Sequence, residues 1–160
     1  MKAKYNNGEI IIGAGTVMDA ATARIAILAG AEYIVSPYFE QDTVKCCNRY
    51  GIPSMPGIYT PTEAVAAMEC GADVLKVFPG DIATPAFIKD IHGPIPNSFM
   101  MPSGGVSVDN VKDWIKAGAF ACGAGSSLIA GAKTGDYDKI TETGKLFVQR
   151  IKEARAELAK

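Results

Sequence analysis

One short joint occurs three times in this 160-residue chain and restricts the fold more than any other feature. Segments 29–33, 70–74 and 117–121 each pass from the end of a predicted helix, through a glycine, directly into an apolar stretch. Glycine is favoured just past helix C-termini because it adopts positive φ without steric cost. The spacing fits two units of a repeat of about 20 to 25 residues, which predicts successive βα units.

The rest of the chain continues this alternation of apolar runs and helical patterns. Asp19, Thr60 and Ser107 stand where helix N-caps are favoured, and Pro61 and Pro85 suit a first helical turn. Strands are predicted at 9–14, 33–36, 53–55, 74–78, 99–101 and 120–123, and helices at 19–29, 40–50, 61–70, 85–91, 108–117 and 136–158. About six βα units predict a single α/β domain over 1–160, either doubly wound or, as we favour, of the TIM (β/α)8-barrel class.

Charge and composition argue against several functional classes. The net charge is −1 and the lysines and arginines are scattered, so no basic patch is present to bind nucleic acid. No stretch is long and apolar enough to span a bilayer, and residues 1–8 lack the pattern of a signal peptide. We therefore predict a cytoplasmic protein that binds neither nucleic acid nor membrane. The cysteines match no zinc or redox spacing and are predicted to be reduced, buried thiols: Cys46, Cys47, Cys70 and Cys122.

A lysine lies inside the apolar run 73–80. The run predicts a strand buried on both faces, where an ammonium group is costly. Burial lowers the pKa of a lysine amine, so Lys76 is a candidate nucleophile for Schiff-base formation with a carbonyl. The alternative is a lysine whose stem packs while its charged head reaches water. Phe78 projects to the same side of the strand and is either a shield for an imine or a core aromatic residue.

Glycine-rich turns follow three predicted strands, at the strand ends where parallel α/β enzymes place their sites. Turn 13–17 contains the hydroxyl of Thr16, although a glycine turn before a helix is ordinary by itself. Turns 102–106 and 123–127 follow the last two strands and lead into predicted helices. Backbone N–H groups and a helix N-terminus there predict a phosphate site, whereas the alternative is a structural loop that needs positive φ.

In order and spacing, these segments resemble the 2-keto-3-deoxy-6-phosphogluconate (KDPG)/4-hydroxy-2-oxoglutarate (KHG) aldolase family over nearly the whole chain. The matching segments are 13–17, 36–37, 55–57, 75–79, 102–105 and 125–126. The resemblance implies a class I aldolase, usually a homotrimer, built as a TIM barrel. It would cleave KDPG to pyruvate and glyceraldehyde 3-phosphate in the Entner–Doudoroff route, and also KHG to pyruvate and glyoxylate. It implies a small phosphorylated keto-acid substrate, no cofactor and no metal.

The resemblance also implies roles for individual residues. Lys76 matches the Schiff-base lysine, and Thr16 matches a ligand of the pyruvyl carboxylate. Pro37 and Phe78 match walls of the pocket. Gly104, Gly105 and Ser126 match residues that hold the substrate phosphate. Ser103 and Gly125 also belong to the substrate-binding set, and Ser103 stands where many relatives have threonine.

The chain departs from the family at its start. The family's proton-transferring glutamate and carboxylate-binding arginine precede the first strand predicted here, and a complete barrel needs about 200 residues or more. We therefore expect a fragment without the first two units, with unpaired strand edges. Glu63, Glu69 and Asp73 do not replace that glutamate. Asp81 is the best substitute, although a solvated loop acid is the ordinary interpretation. His92 precedes a strand and is therefore expected at the end of the barrel opposite the C-terminal ends of the strands.

Three functions remain open from the sequence. The first is the aldolase. The second is another phosphate-binding barrel enzyme, an epimerase or isomerase, against which the buried lysine argues. The third is a catalytically incomplete, oligomerising remnant that keeps the phosphate turns. The sequence does not decide which keto acid is preferred.

Overall fold

A computed structural model describes residues 10–159. The chain divides into two compact units, Met1–Lys76 and Val77–Lys160. One domain over 1–160 therefore stays a prediction. Glu9, the first residue of the predicted strand 9–14, lies outside the described residues.

The first unit alternates helices with short strands. Its elements are α1 (Ala20–Leu28), β1 (Ile34–Val35), α2 (Gln41–Tyr50), β2 (Ser54–Met55), β3 (Gly57–Ile58), α3 (Pro61–Glu69) and the first two residues of β4 (Leu75–Val77). β1 and β2 are parallel, with Ile34 opposite Ser54 and Val35 opposite Met55. The Lys76 N–H donates to the Pro56 carbonyl at 2.8 Å. Apolar side chains from α1, α2 and β1 form the core around Val17, Ala23, Ile34, Cys46 and Cys47.

The predicted strand 9–14 was too long. In the described part of the chain, this segment is reduced to a parallel bridge between Ala14 and Ile34. Gly13 and Gly15 flank Ala14, and glycine weakens strand pairing because it adds backbone entropy and no packing. The pairing nevertheless places turn 13–17 beside the end of β1.

The second unit begins with Val77, the last residue of β4. It continues with α4 (Pro85–His92), β5 (Met100–Pro102), α5 (Val111–Lys116), a 3-10 helix (Ala130–Thr134) and α6 (Tyr137–Leu158). The Ser103 N–H donates to the Val77 carbonyl at 3.0 Å, which joins β5 to the end of β4. The predicted strand 120–123 is reduced to a parallel bridge between Ser103 and Gly123 and to a hydrogen bond from Phe120 to Met100.

The predicted helix 108–117 begins later than the sequence suggested. α5 starts at Val111 with Asn110 at the N-cap, so Ser107 is not the cap. The side chain of Asn110 accepts a hydrogen bond from the Ser107 N–H at 2.9 Å and thereby closes a turn ahead of the helix. That turn delays the helix because local side-chain bonds of asparagine compete with helical ones.

The three repeated joints are confirmed as one structure used three times. Gly30, Gly71 and Gly118 have φ values of 98°, 85° and 107°. In each joint the alanine after the glycine donates its N–H to a carbonyl five residues back, at 2.9 Å in the first joint and 3.0 Å in the other two. This left-handed closure satisfies the last helix carbonyls and turns the chain toward the next strand.

The predicted N-caps of α1 and α3 are confirmed. Asp19 accepts a hydrogen bond from the Thr22 N–H, and Thr60 accepts one from the Glu63 N–H. Glu63 in turn accepts from Tyr59 at 2.8 Å, so its carboxylate belongs to a capping arrangement. None of the helices within residues 10–159 has the length and apolar content needed to cross a membrane.

Candidate functional site

Lys76 lies in the middle of β4. Its neighbours Leu75 and Val77 are 1% and 0% exposed, whereas Lys76 itself is half-buried. The prediction of a strand buried on both faces was therefore wrong: one face is buried, and the lysine occupies the other. Burial still lowers the pKa of the Lys76 amine. A lowered pKa increases the share of neutral, nucleophilic amine at physiological pH.

Thr16 occupies a backbone conformation that threonine rarely adopts. Its φ is +57°, in the left-handed region that disfavours β-branched residues and costs about 1–3 kcal/mol. Hydrogen bonds on both sides hold it there, because Ala14 donates to Tyr33 at 3.0 Å and Val17 donates to Val35 at 3.1 Å. The side chain is exposed. Strain of this kind, imposed by the surrounding structure, is typical of functional positions.

The loop after β1, which contains Pro37, is tied to the loop of Thr16. The Tyr38 hydroxyl donates to the Met18 carbonyl at 2.6 Å. Ser36 strengthens the same loop by donating its hydroxyl to the Tyr38 carbonyl at 2.8 Å. A side chain at Gly57 would collide with the Pro37 main chain, so glycine is required for this close approach. Two predicted site residues of the first unit thus lie on connected loops.

A cavity of about 160 Å³ lies between the two glycine-rich turns of the second unit. It is lined by all five residues predicted for phosphate and substrate binding there and by four others: Ser103, Gly104, Gly105, Val106, Ser107, Gly123, Gly125, Ser126 and Ser127. No charged side chain is part of this lining. A wider groove of about 530 Å³ runs along α6 and contains none of the predicted site residues.

In the described part of the chain, four residues of the turns have backbone N–H groups that no protein acceptor uses. Gly104, Gly105, Gly125 and Ser126 belong to the lining of the cavity, and within residues 10–159 their main-chain N–H groups donate to no protein acceptor. Successive N–H groups in a turn form an anion-binding concavity. The expected contribution from a helix N-terminus was wrong, because α5 starts only at Val111 and a 3-10 helix follows the second turn. The candidate donors are turn amides and serine hydroxyls.

Neighbouring groups fix the first of these turns. Gly104 and Gly105 have φ values of 92° and 64°. The Asn110 side chain donates to the Gly105 carbonyl at 2.9 Å, and Gly80 donates to the Ser103 carbonyl at 2.8 Å. The Asp81 carboxylate lies so close to Gly105 that any side chain there would collide with it. Asp81, the acid singled out as a substitute base, therefore packs against the turn.

The other titratable residues singled out have local structural contacts. His92 Nε2 lies 3.0 Å from the carbonyl of Ser98, which precedes β5, and its place at the end of the barrel stays a prediction. The Asp73 carboxylate accepts from the Ser54 N–H at 2.8 Å. Phe78 is half-buried directly after β4 and is joined to Pro79 by a cis peptide bond.

The cysteines are free thiols, but only partly as predicted. Cys46 and Cys47 are buried, whereas Cys70 and Cys122 are half-buried. Burial raises the pKa of Cys122 to about 11, which favours the unreactive thiol form. Within the described residues, no group of three His, Cys, Asp or Glu side chains is placed to hold a metal ion.

Sequence reasoning missed the residues that brace the loops. Tyr38, Asn110 and Ser127 all donate side-chain hydrogen bonds to loop carbonyls. Ser127 directly follows the motif 125–126, so the sequence could have indicated it. Tyr38 and Asn110 had no sequence signal, because their partners are known only once the loops are folded.

The parallel pairing, the βα order and the glycine turns after the strands define a protein with a TIM-barrel-like α/β fold. Thiamine phosphate pyrophosphorylase from Pyrococcus furiosus has this fold, with a TM-score of 0.72 over 96% of the chain and 71% of that structure at 15% identity. The native KDPGal structure is more similar, with a TM-score of 0.89 and 30% identity over 97% of the chain and 75% of that structure.

Residues 1–143 match the family described as KDPG and KHG aldolase, and the chain belongs to this family of lyases. It is 32% identical over 145 residues to the 2-dehydro-3-deoxy-6-phosphogalactonate aldolase of Escherichia coli K12, covering 90% of the chain and 70% of the relative. A probable aldolase of the same type from Rhizobium meliloti is 38% identical over 128 residues, covering 79% of the chain and 60% of that protein. The KDPG aldolase of Legionella pneumophila, solved with pyruvate captured as a covalent carbinolamine, has a TM-score of 0.81 at 25% identity, covering 89% of the chain and 69% of that structure.

Proposed function

We propose that the chain is a class I aldolase that uses Lys76 to cleave KDPG to pyruvate and glyceraldehyde 3-phosphate. Cleavage of KHG to pyruvate and glyoxylate would be a second reaction of the same site. The proposal rests on Lys76, because burial within a strand lowers the pKa of its amine. The covalent pyruvate carbinolamine in the Legionella pneumophila aldolase supports the same chemistry.

The reaction begins when the neutral amine of Lys76 attacks the C2 ketone of the substrate. The resulting carbinolamine loses water and becomes a protonated imine. A base then removes the proton of the C4 hydroxyl, the C3–C4 bond breaks, and its electron pair moves into the imine. The aldehyde leaves, and an enamine of pyruvate remains on the lysine.

The cycle ends when the enamine is protonated at C3 and water hydrolyses the imine. This step releases pyruvate and restores the free amine of Lys76. A water-poor environment protects the imine before cleavage, which is the role we propose for the half-buried ring of Phe78. Pro37 would form a second wall.

The two ends of the substrate would be bound in different ways. We assign the pyruvyl carboxylate to the hydroxyl of Thr16, whose strained backbone is held by its neighbours. The phosphate is assigned to the cavity of the second unit, where Gly104, Gly105, Gly125 and Ser126 present N–H groups and Ser103 and Ser126 add hydroxyls. A phosphorylated substrate is favoured because these donors match a polar anion.

Borohydride trapping tests the proposal. Intact-mass analysis after incubation with pyruvate and borohydride is expected to show one adduct on the chain and none on Lys76→Ala. Lys89→Ala, which removes an exposed amine from α4, is the matched control and should label like the unchanged protein. An adduct that survives in folded Lys76→Ala would overturn the assignment. Circular dichroism confirms that the variants fold.

Turnover separates the aldolase from the alternatives. Release of pyruvate from KDPG, coupled to NADH oxidation by lactate dehydrogenase, measures cleavage directly. Trapping without cleavage would support the catalytically incomplete remnant. The absence of both trapping and cleavage would favour an epimerase or isomerase.

Assembly, number of units and location follow from the same proposal. We propose a homotrimer with about six βα units that acts in the cytoplasm in the Entner–Doudoroff route. A related solved structure is a cube-shaped protein cage designed by fusing symmetric oligomeric domains, with a TM-score of 0.90 at 29% identity over 99% of the chain and 58% of that structure. Native mass spectrometry decides the oligomeric state.

A further inference from the structure

One hydrogen bond joins the two turns that line the cavity of the second unit. The Ser127 hydroxyl donates to the Val106 carbonyl at 2.6 Å. Ser127 is half-buried and Val106 is 3% exposed, so the bond is partly shielded from competing water. Within residues 10–159, it is the one hydrogen bond between segments 104–107 and 124–127.

Other contacts hold each turn separately. Asn110 binds the Gly105 carbonyl, and the Gly125 carbonyl accepts from Leu128 and Ile129 at 3.0 and 3.2 Å. At the bases of the turns, Gly123 donates to the Pro102 carbonyl at 2.8 Å. These bonds set the shape of each turn and the start of their pairing. They do not fix the distance between the two turns across the cavity, which depends on the hydrogen bond of Ser127.

We propose that Ser127 is a positioning residue that sets the distance between the two groups of N–H donors, so that both groups converge on one phosphate. The inference rests on the proposed use of this cavity for the substrate phosphate. The first turn contributes the N–H groups of Gly104 and Gly105, and the second contributes those of Gly125 and Ser126. Donors aimed at one anion bind it more weakly when their spacing is no longer fixed.

Direct binding of inorganic phosphate tests the inference without relying on catalysis. Titration calorimetry should show a dissociation constant for Ser127→Ala that is about fivefold to tenfold higher, the usual effect of losing one shielded hydrogen bond. Ser127→Thr keeps the hydroxyl and should restore binding to within about twofold. If Ser127→Ala does not fold, Ser127→Cys, which keeps a weak donor, should give a smaller loss.

Ser98→Ala is the matched control for a merely structural effect. Ser98 is 5% exposed and donates its hydroxyl to the Ile95 carbonyl at 2.9 Å, yet it does not line the cavity. Ser98→Ala should lower the melting temperature without changing phosphate affinity. Equal phosphate affinity in Ser127→Ala and the unchanged chain would overturn the inference, as would an unchanged chain that binds no phosphate.

The same variants keep this inference separate from the proposed function. Pyruvate carries no phosphate, so trapping of pyruvate should be equal in Ser127→Ala and the unchanged chain. If phosphate binding falls in Ser127→Ala but pyruvate is never trapped, the positioning role stands and the aldolase proposal fails. In an active enzyme, Ser127→Ala should raise KM for KDPG and leave KM for unphosphorylated KHG unchanged.

Discussion

The proposed reactive group of the first unit and the proposed anion-binding groups of the second are built in opposite ways. Lys76 is part of regular structure, in a strand whose flanking side chains are buried. The donors of the second unit lie in irregular turns, where Gly104 and Gly105 take positive φ. The difference follows from the chemistry. An amine becomes neutral when it is taken out of water, whereas backbone N–H groups can bind an anion only if no strand or helix uses them.

One pair of loops in each unit is nevertheless held by the same device, a side-chain hydroxyl that donates to a carbonyl of the neighbouring loop. Tyr38 binds Met18 in the first unit, and Ser127 binds Val106 in the second, both at 2.6 Å. Turns that expose their own backbone groups need such braces, because they lack the repeated bonds of a sheet. Changes that remove support from one region should therefore leave the other intact.

The largest effect is expected from Gly105→Ala. The substitution places a side chain at φ +64° and against the Asp81 carboxylate. Backbone strain and the collision should together lower the free energy of unfolding by about 1–3 kcal/mol. Urea unfolding measures the loss, and phosphate titration should show weaker binding.

Gly125→Ala is the matched comparison on the opposite turn. An added side chain at Gly125 meets nothing within 4 Å, and its φ lies outside the left-handed region. Its free energy of unfolding should stay within about 0.5 kcal/mol of the unchanged chain. Equal destabilisation by both alanines would show that the first turn is not specially constrained.

Tyr38→Phe should have an intermediate effect, confined to the first unit. It removes the hydroxyl bound to Met18 and should cost about 1 kcal/mol or less, because the bond is partly exposed to solvent. Trapping of pyruvate should slow as the loop of Thr16 loosens, while phosphate affinity should stay unchanged. Tyr137→Phe, at a side chain that is 70% exposed, is the control. A fall in phosphate affinity in Tyr38→Phe would contradict the separation of the two regions.

The smallest effect is expected from Lys76→Met on the pH dependence of the free energy of unfolding. Its pKa is lower in the folded chain than in the unfolded one, so the unfolded chain binds more protons at pH values between the two. Stability contributed by this residue therefore rises with pH across that window, up to the ordinary lysine pKa. Lys76→Met should remove this contribution, so the pH dependence of its free energy of unfolding should be shallower than that of the unchanged chain. Urea unfolding from about pH 7 to about pH 10 measures it, and a steeper slope in the variant would contradict the assignment.

The sequence was sufficient for the joints and for most helices, although α5 begins later than predicted. Asp19 and Thr60 cap their helices, and Gly30, Gly71 and Gly118 close them, because these signals act between residues close in the chain. The outermost strands were harder to predict. Segments 9–14 and 120–123 have strand-like composition, but strand formation depends on partners that local patterns do not contain.

The candidate site was predicted in part. The apolar run singled out Lys76 and the glycine turns singled out Thr16, whose roles stay predictions, and the five predicted residues of the second unit do line one cavity. An apolar run alone could not show that the strand of Lys76 is buried on one face rather than on both. The braces of Tyr38, Asn110 and Ser127 depend on loop conformations, which sequence patterns describe poorly.

The contact between Asp81 and Gly105 limits how this turn can evolve. A Cβ atom at position 105 would meet the end of the Asp81 side chain, so the carboxylate at position 81 must shift when position 105 gains a side chain. A lineage that shortens the residue at position 81 first opens a path to asparagine at position 105, which tolerates positive φ. The reverse order passes through a destabilised intermediate. The order of mutations, as well as their identity, is therefore restricted beside the proposed anion-binding cavity.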